Sequence, residues 1–278
     1  MSETLARLTH YGFLQIVGAK AAEFLQGQLS CNMNDCQGSA PIPGVYCTPK
    51  GRVISNFMIL RLADDRFLMR LRDDIADTTA EVLRKYGVFS RVTIERPEPA
   101  YIALGRIIEN DEAIDEAIEG ATAIVRGSGY QEVWMPAELW ASLATSDKAD
   151  HWRLAMLRAG KVDIGARTSD EFLPNMLGFT RDGSVHFKKG CYTGQEIVAR
   201  AHYRGAVKRD LYHAKGEGQA PSAGTELYAD SKTVGVVVDA VKSDQGWEGL
   251  AVCGEAANNG CARTEDQREV SLSPHVIS

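Results

Sequence analysis

Lys188-Lys189-Gly190-Cys191-Tyr192-Thr193-Gly194-Gln195-Glu196 puts a thiol between two glycines, with a lysine pair before it and a carboxylate after it. Glycine has no Cβ, so it adopts backbone conformations that other residues resist and lets a ligand or a second chain segment approach closely. A cysteine can serve as nucleophile or metal ligand, and neighbouring cations favour its thiolate. The run continues through Ile197 to Arg209 and is dense in aromatic and basic side chains, with Arg200, His202, Tyr203, Arg204, Lys208 and Arg209.

The 278 residues around this stretch are long enough to bury a large core and to divide into two or three domains. Apolar residues make up 44% and charged residues 24%, the balance of a soluble globular protein. A formal net charge of −6 argues against a nonspecific nucleic-acid coat, but leaves room for a local basic patch at Arg200–Arg209. The first residues lack a signal-peptide pattern and no apolar run reaches the roughly 18 residues of a membrane span, so a cytoplasmic protein without a membrane partner is expected. The 6 cysteines form no Cys-x-x-Cys pair. Cys36, Cys47 and Cys253 read as small buried hydrophobes, and Cys191 stands apart by its setting.

Working outward, Tyr11–Val17 reads as a strand ended by Gly18, and Ala21, Phe24, Leu25 and Leu29 recur at helical spacing. Residues 53–62 and 66–71 read as a hairpin turning at Asp64-Asp65. Ile75, Thr79, Val82, Leu83 and Tyr86 share a helix face, with Asp73 as the expected cap and Gly87 as the stop. Val88, Ser90, Val92 and Ile94 then alternate as a strand. Arg96-Pro97-Glu98-Pro99 breaks the chain. A similar rhythm follows, with strands at 101–104, 121–125 and 132–135, a helix at 111–118, and a helix begun by Pro136 that carries Leu139, Trp140 and Leu143. Residues 151–160 read as a further helix. This doubled pattern predicts two ferredoxin-like units, and the short β-prone runs after Arg209 predict a small antiparallel β-barrel. The expected divisions are 1–95, 96–205 with the cysteine motif, and 206–278, with the first two free to interleave.

Lys189–Glu196 resembles the signature of YgfZ-type folate-binding proteins, relatives of the glycine-cleavage T-protein, an aminomethyltransferase. Phe24-Leu25-Gln26-Gly27-Gln28-Leu29, Tyr46–Val53, Leu157–Gly160 and Phe172–Met176 are similar to further stretches of that family in the same order. The resemblance spans the chain from about the first strand to Arg209. It implies an α+β, T-protein-like fold, with two ferredoxin-like subdomains and a C-terminal barrel around a channel for tetrahydrofolate. It implies a role in assembling or repairing iron–sulfur clusters and, through cluster enzymes, in tRNA modification. The implied partners are the folate and iron–sulfur proteins or cluster-assembly factors, with direct nucleic-acid contact a lesser expectation.

The chain departs from the pattern at Ser55-Asn56, Arg158 and Asn175. T-proteins carry an aspartate within the segment matching Arg52–Leu60, where this chain has Ser55 and Asn56. A neutral amide cannot act as a general base, which counts against aminomethyl transfer. Arg158 stands where the family usually has a glutamate, and Asn175 where a glutamine is frequent. A folate-dependent one-carbon transferase or demethylase with a different base remains the alternative.

The resemblance assigns candidates that each carry a plainer reading. Cys191 is either a functional thiol, activated by Lys188 and Lys189, or a residue packed under a tight turn; alone it cannot hold a stable cluster. Glu196 is either an acceptor for a pterin's amino-pyrimidine edge or a helix-start acid. Arg200, with Arg204, Lys208 and Arg209, binds a folate's glutamate tail, an RNA or a protein partner, or is a solvated face. Tyr11 and Trp152 line a folate channel or fill the core. His186 and His202 lack metal-ligand spacing, and a zinc pair at Cys253 and Cys261 is the weaker alternative to packing.

Overall fold

A computed structural model describes residues 5–38, 40–108, 118–142, 145–146, 148–205 and 208–275. The strands among these residues are β1 (Leu5–Arg7), β2 (Tyr11–Val17), β3 (Ile42–Cys47), β4 (Val53–Ala63), β5 (Arg66–Arg72), β6 (Thr93–Glu95), β7 (Tyr101–Ile107), β8 (Ala123–Gly127), β9 (Tyr130–Pro136), β10 (Thr145–Ser146), β11 (Arg209–Gly216), β12 (Glu226–Ala229), β13 (Lys232–Ser243), β14 (Gly246–Gly254), β15 (Cys261–Arg263) and β16 (Glu269–Pro274). Among the described residues the α-helices are α1 (Ala21–Gln28), α2 (Asp73–Gly87), α3 (Ala149–Arg158) and α4 (Gln195–Arg204). They build two five-stranded sheets, ordered β3-β4-β5-β2-β6 and β10-β1-β7-β9-β8, and a closed barrel β11-β14-β13-β12-β15-β16.

Period-2 alternation explains how the first sheet is buried on both faces. Leu14 and Ile16 of β2, Ile59 of β4 and Phe67, Met69 and Leu71 of β5 face α1 and α2 in one core cluster. Tyr11 and Phe13 of β2, Leu60 of β4 and Leu68 of β5 point the other way, onto Ala103, Ala123 and Trp134 of the second sheet and Trp152 and Met156 of α3. The sheets are thus two layers with side chains interdigitating between them. The second sheet takes its inner strand β1 from the start of the chain, pairing it with β7 and with β10. A third cluster joins Val45 and Cys47 of β3 through Tyr192 and Val198 to Leu211, Val236 and Leu250 of the barrel.

Several local expectations change in three dimensions. Asp73 is the first residue of α2, not its cap, and its carboxylate pairs with Arg96 at 2.6 Å. The helix runs into a 3-10 turn at Val88–Ser90, so the expected alternation survives only as the short β6, and Val88 and Phe89 lie exposed. Tyr86 is exposed as well. The segment after Pro136 forms a 3-10 turn, Ala137–Ser142, rather than an α-helix. The helix expected over 111–118 lies outside the described residues apart from Ile118, and Leu143 lies outside them too.

Candidate functional site

The same alternation that packs the sheets aims polar side chains into the space between them. Arg70 interrupts the apolar run of β5 on the face turned towards the second sheet, and Glu132 of β9 faces it. Together with Tyr11, Asn56, Met58 and Asp163 they line a cavity of about 290 Å³, whose apolar walls include Phe57, Val125, Tyr130 and Phe179. That size falls at the small end of ordinary ligand sites, and apolar walls with a few convergent polar groups are typical of them.

A charge cluster forms the polar part of the lining. Arg70 Nε lies 2.9 Å from Glu132 Oε1, and its Nη2 donates to Glu132 Oε2 at 3.0 Å. Its Nη1 is 3.7 Å from Asp163 Oδ1, and the guanidinium lies over the Tyr11 ring, 3.9 Å from the centroid. Trp134 Nε1 donates to Glu132 Oε1 at 2.6 Å, and the Tyr11 hydroxyl donates to Asp163 Oδ2 at 2.6 Å. Burial works against the charge on Arg70, but Glu132, Tyr11 and Asp163 outweigh it and raise its pKa above the ordinary value. Burial, reinforced by Asp163, pushes the Tyr11 phenol well up, so Tyr11 stays a donor. Both Glu132 oxygens are engaged by Arg70 and Trp134. Asp163 Oδ1 keeps free acceptor capacity, since its contact with Arg70 exceeds hydrogen-bond distance.

Asn56 holds that carboxylate in place. Its Nδ2 donates to the Val162 carbonyl at 2.8 Å, and its Oδ1 accepts from the Ile164 amide at 2.7 Å. The amide brackets Asp163 from both sides and needs one donor and one acceptor to do so. Ser55, on the opposite face of β4, is fully buried and hydrogen-bonds with Thr79 of α2 at 3.0 Å, away from the cavity. Sequence reasoning missed Arg70, Glu132 and Asp163. A signal existed for two of them: a charge inside an apolar strand, as in Leu68-Met69-Arg70-Leu71 and Glu132-Val133-Trp134, must be paired when buried.

Of the functional candidates Tyr11, Trp152, Cys191, Glu196 and Arg200, Tyr11 alone lines this cavity, beside Asn56 of the departing segment. Trp152 is 2% exposed and lies against Gly105, where a Cβ would come within 2.4 Å of its ring. Its ring meets Tyr130 edge-on at 5.5 Å. It lines an adjoining water-sized crevice that shares Tyr11, Met156, Lys161 and Asp163 with the cavity. Trp152 therefore stiffens the wall from behind. Cys191, Glu196 and Arg200 are exposed on the loop before α4 and on α4 itself, outside the lining.

The cysteine motif is built as a clamp. Lys189 Nζ donates to the carbonyls of Gln26, Leu29 and Cys31 at 2.7, 2.6 and 2.7 Å. This supplies the cation that the last turn of α1 lacks. Burial pulls its pKa down to about 8. An ammonium has three donors, and all three are spent on carbonyls, so Lys189 has none left for the Cys191 thiol. Tyr192 is buried beneath Lys189, and Thr193 bonds Gln28 at 3.2 Å. Gly194 (φ +84°) lets the loop touch the β3–β4 turn, where a Cβ would meet the Thr48 carbonyl at 2.5 Å. Arg158 forms a bidentate pair with Glu248 of the barrel at 2.6 and 3.1 Å, a structural tie across elements. Cys36, Cys47 and Cys253 are buried, Cys261 is exposed, and no group of three or more His, Cys, Asp or Glu converges as a metal site among the described residues.

No protein-family model matches the chain. A tRNA-modifying protein YgfZ from Enterobacter sp. (strain 638) is 30% identical over 273 residues, covering 87% of this chain and 82% of that protein. Its counterpart in Escherichia coli O157:H7 is 30% identical over 270 residues with the same coverage. An uncharacterized protein of Haemophilus influenzae is 29% identical over 249 residues, 85% of this chain and 84% of its own. Among solved structures, the glycine cleavage system aminomethyltransferase T of Bartonella henselae superposes with a TM-score of 0.71 over 99% of this chain and 85% of that one, at 17% identity. That superposition establishes a T-protein fold. With 30% of the residues identical over 87% of this chain and 82% of those relatives, the chain belongs to the family of the tRNA-modifying protein YgfZ.

Proposed function

We propose that the cavity between the two sheets binds a reduced folate of the tetrahydrofolate type, and that the protein supports tRNA modification by maintaining iron–sulfur clusters in the cytoplasm. The observation that carries the ligand reading is the Tyr11–Asp163–Arg70–Glu132 cluster inside an apolar slot. Asp163 offers an ordered acceptor for the paired donors of an amino-pyrimidine edge, and Phe57, Tyr130 and Met58 suit a flat ring. Lys161, exposed beside the cavity, offers a cation for a glutamate tail, the part first assigned to Arg200. The family name of the relatives supports the tRNA role, and the resemblance supports the iron–sulfur partners.

Titration with tetrahydrofolate, followed by tryptophan fluorescence and calorimetry, tests the ligand. Binding is expected to weaken about tenfold or more in Asp163→Asn, a loss of ~1.4 kcal/mol from one charge-assisted contact. Absence of any tetrahydrofolate-dependent signal in the parent protein sinks the reading. A second reading, one-carbon transfer, draws support from Asp163 itself, because it returns a carboxylate to a cavity whose Asn56 has none. Formation of methylene-tetrahydrofolate from an aminomethylated donor, lost in Asp163→Asn, separates catalysis from binding.

A further inference from the structure

We propose that the outer face of α4 and the adjoining Phe187-Lys188 segment form a contact surface for single-stranded RNA, independent of what the cavity binds. Arg200 and Arg204 lie one helical turn apart and are exposed, with Tyr203 between them on the same side of α4. Lys188 is exposed at the end of the preceding loop. None of these three cations is in an ion pair with any described residue, whereas Arg61, Arg96, Arg158, Arg181, Arg263 and Arg268 each hold a carboxylate partner. Glu196 sits one turn before Arg200, yet no ion pair joins them.

The second observation is a surface cluster of rings. Phe187 and His202 stack with centroids 4.2 Å apart and planes 19° from parallel. Tyr203 meets both edge-on, at 5.6 and 4.8 Å, and is 70% exposed. Phe187 and His202 hold the Tyr203 ring from below while its outer face stays open to solvent. Rigid rings beside unpaired cations match the two needs of an unpaired nucleotide stretch: phosphates for the guanidinium groups and bases for the ring. An acidic protein segment would use the cations but has no use for the open ring. The overall charge of −6 repels polyanions elsewhere, which confines binding to this patch and orients the RNA on it.

Fluorescence anisotropy of the full chain with a labelled, unmodified tRNA transcript, run over a salt series, tests this surface. The parent should bind with a steep salt dependence. Arg200→Glu/Arg204→Glu should weaken binding at least about tenfold at 0.1 M salt and flatten the salt slope by about one to two. Tyr203→Ala should weaken it about fivefold or more while leaving the salt slope in place, the mark of lost stacking. Circular dichroism and tetrahydrofolate titration of each variant confirm that the fold and the cavity are intact, so failure here is distinguishable from failure of the folate reading. Parent-like binding by the double variant overturns the proposal. So does a polyglutamate competitor that displaces the RNA as readily as unlabelled tRNA does while Tyr203→Ala has no effect, a result that would assign the patch to an acidic protein.

Discussion

Asn56 shows how a single atom type decides a position. The resemblance over Arg52–Leu60 invites the substitution Asn56→Asp, which would put an acid at one of the two positions, Ser55 and Asn56, where the resemblance implies one. The geometry predicts the reverse of a gain. A carboxylate cannot donate to the Val162 carbonyl that now lies 2.8 Å from Nδ2, and it would stand next to Asp163. We expect Asn56→Asp to cost about 1–3 kcal/mol in urea unfolding, the range for stranding a buried polar group, and to confer no glycine-dependent aminomethyl transfer. Unchanged stability with new turnover would show that the bracket around Asp163 is dispensable. Arg70 and Glu132 make the companion point. Each alone is a costly buried charge, and each is tolerable because the other is present.

At the scale of elements, the two glycines of the cysteine motif have different work. Gly194 holds φ +84° and faces the Thr48 carbonyl, whereas a Cβ at Gly190 would meet nothing within 4 Å. Gly194→Ala is therefore expected to destabilise by about 1–3 kcal/mol, and Gly190→Ala to stay within about 0.5 kcal/mol, by thermal melting. Equal losses at both positions would refute the docking of this loop on the β3–β4 turn. The motif that dominates the sequence is, at this scale, a clamp: Lys189 ties it to the end of α1, Tyr192 to the core, and Gly194 to the β3–β4 turn. The same scale explains the missed cap. Asp73 was read from its local position alone, but Arg96, distant in sequence, draws its carboxylate away from the backbone amides.

At the scale of the molecule, Glu248 couples α3 to the barrel. Its carboxylate accepts two bonds from Arg158 and lies 3.2 Å from Lys215, and these partners, the Arg158 hydrogen bond foremost, pull its pKa from 4.5 to about 2. The folded carboxyl holds its proton less tightly than the unfolded one. Its contribution to stability is therefore complete above about pH 4.5, and it is lost as the pH falls through about 2. Melting temperature should drop across that window in the parent, and Glu248→Gln should show a smaller drop. An identical acid profile in the variant would remove this tie from the acid response.

The sequence by itself determined the elements with strong periodicity and the identity of the fold. The β4–β5 hairpin, the Ile75, Thr79 and Leu83 face of α2 and the barrel strands depend on local alternation, which a linear text records, and the fold itself was identified through the resemblance of Lys189–Glu196 to a known family. It did not determine where the cavity between the two sheets lies. Tyr11 and Asp163 are 152 positions apart, and Arg70 and Glu132 are 62 apart. Alternation says that Arg70 and Glu132 each leave one face of a sheet, but not that those two faces meet. Packing of the sheets against each other and against α3 decided that. The same packing left Cys191, Glu196 and Arg200 on the outside, because the side chains that anchor their segment inward are Lys189, Tyr192 and Val198.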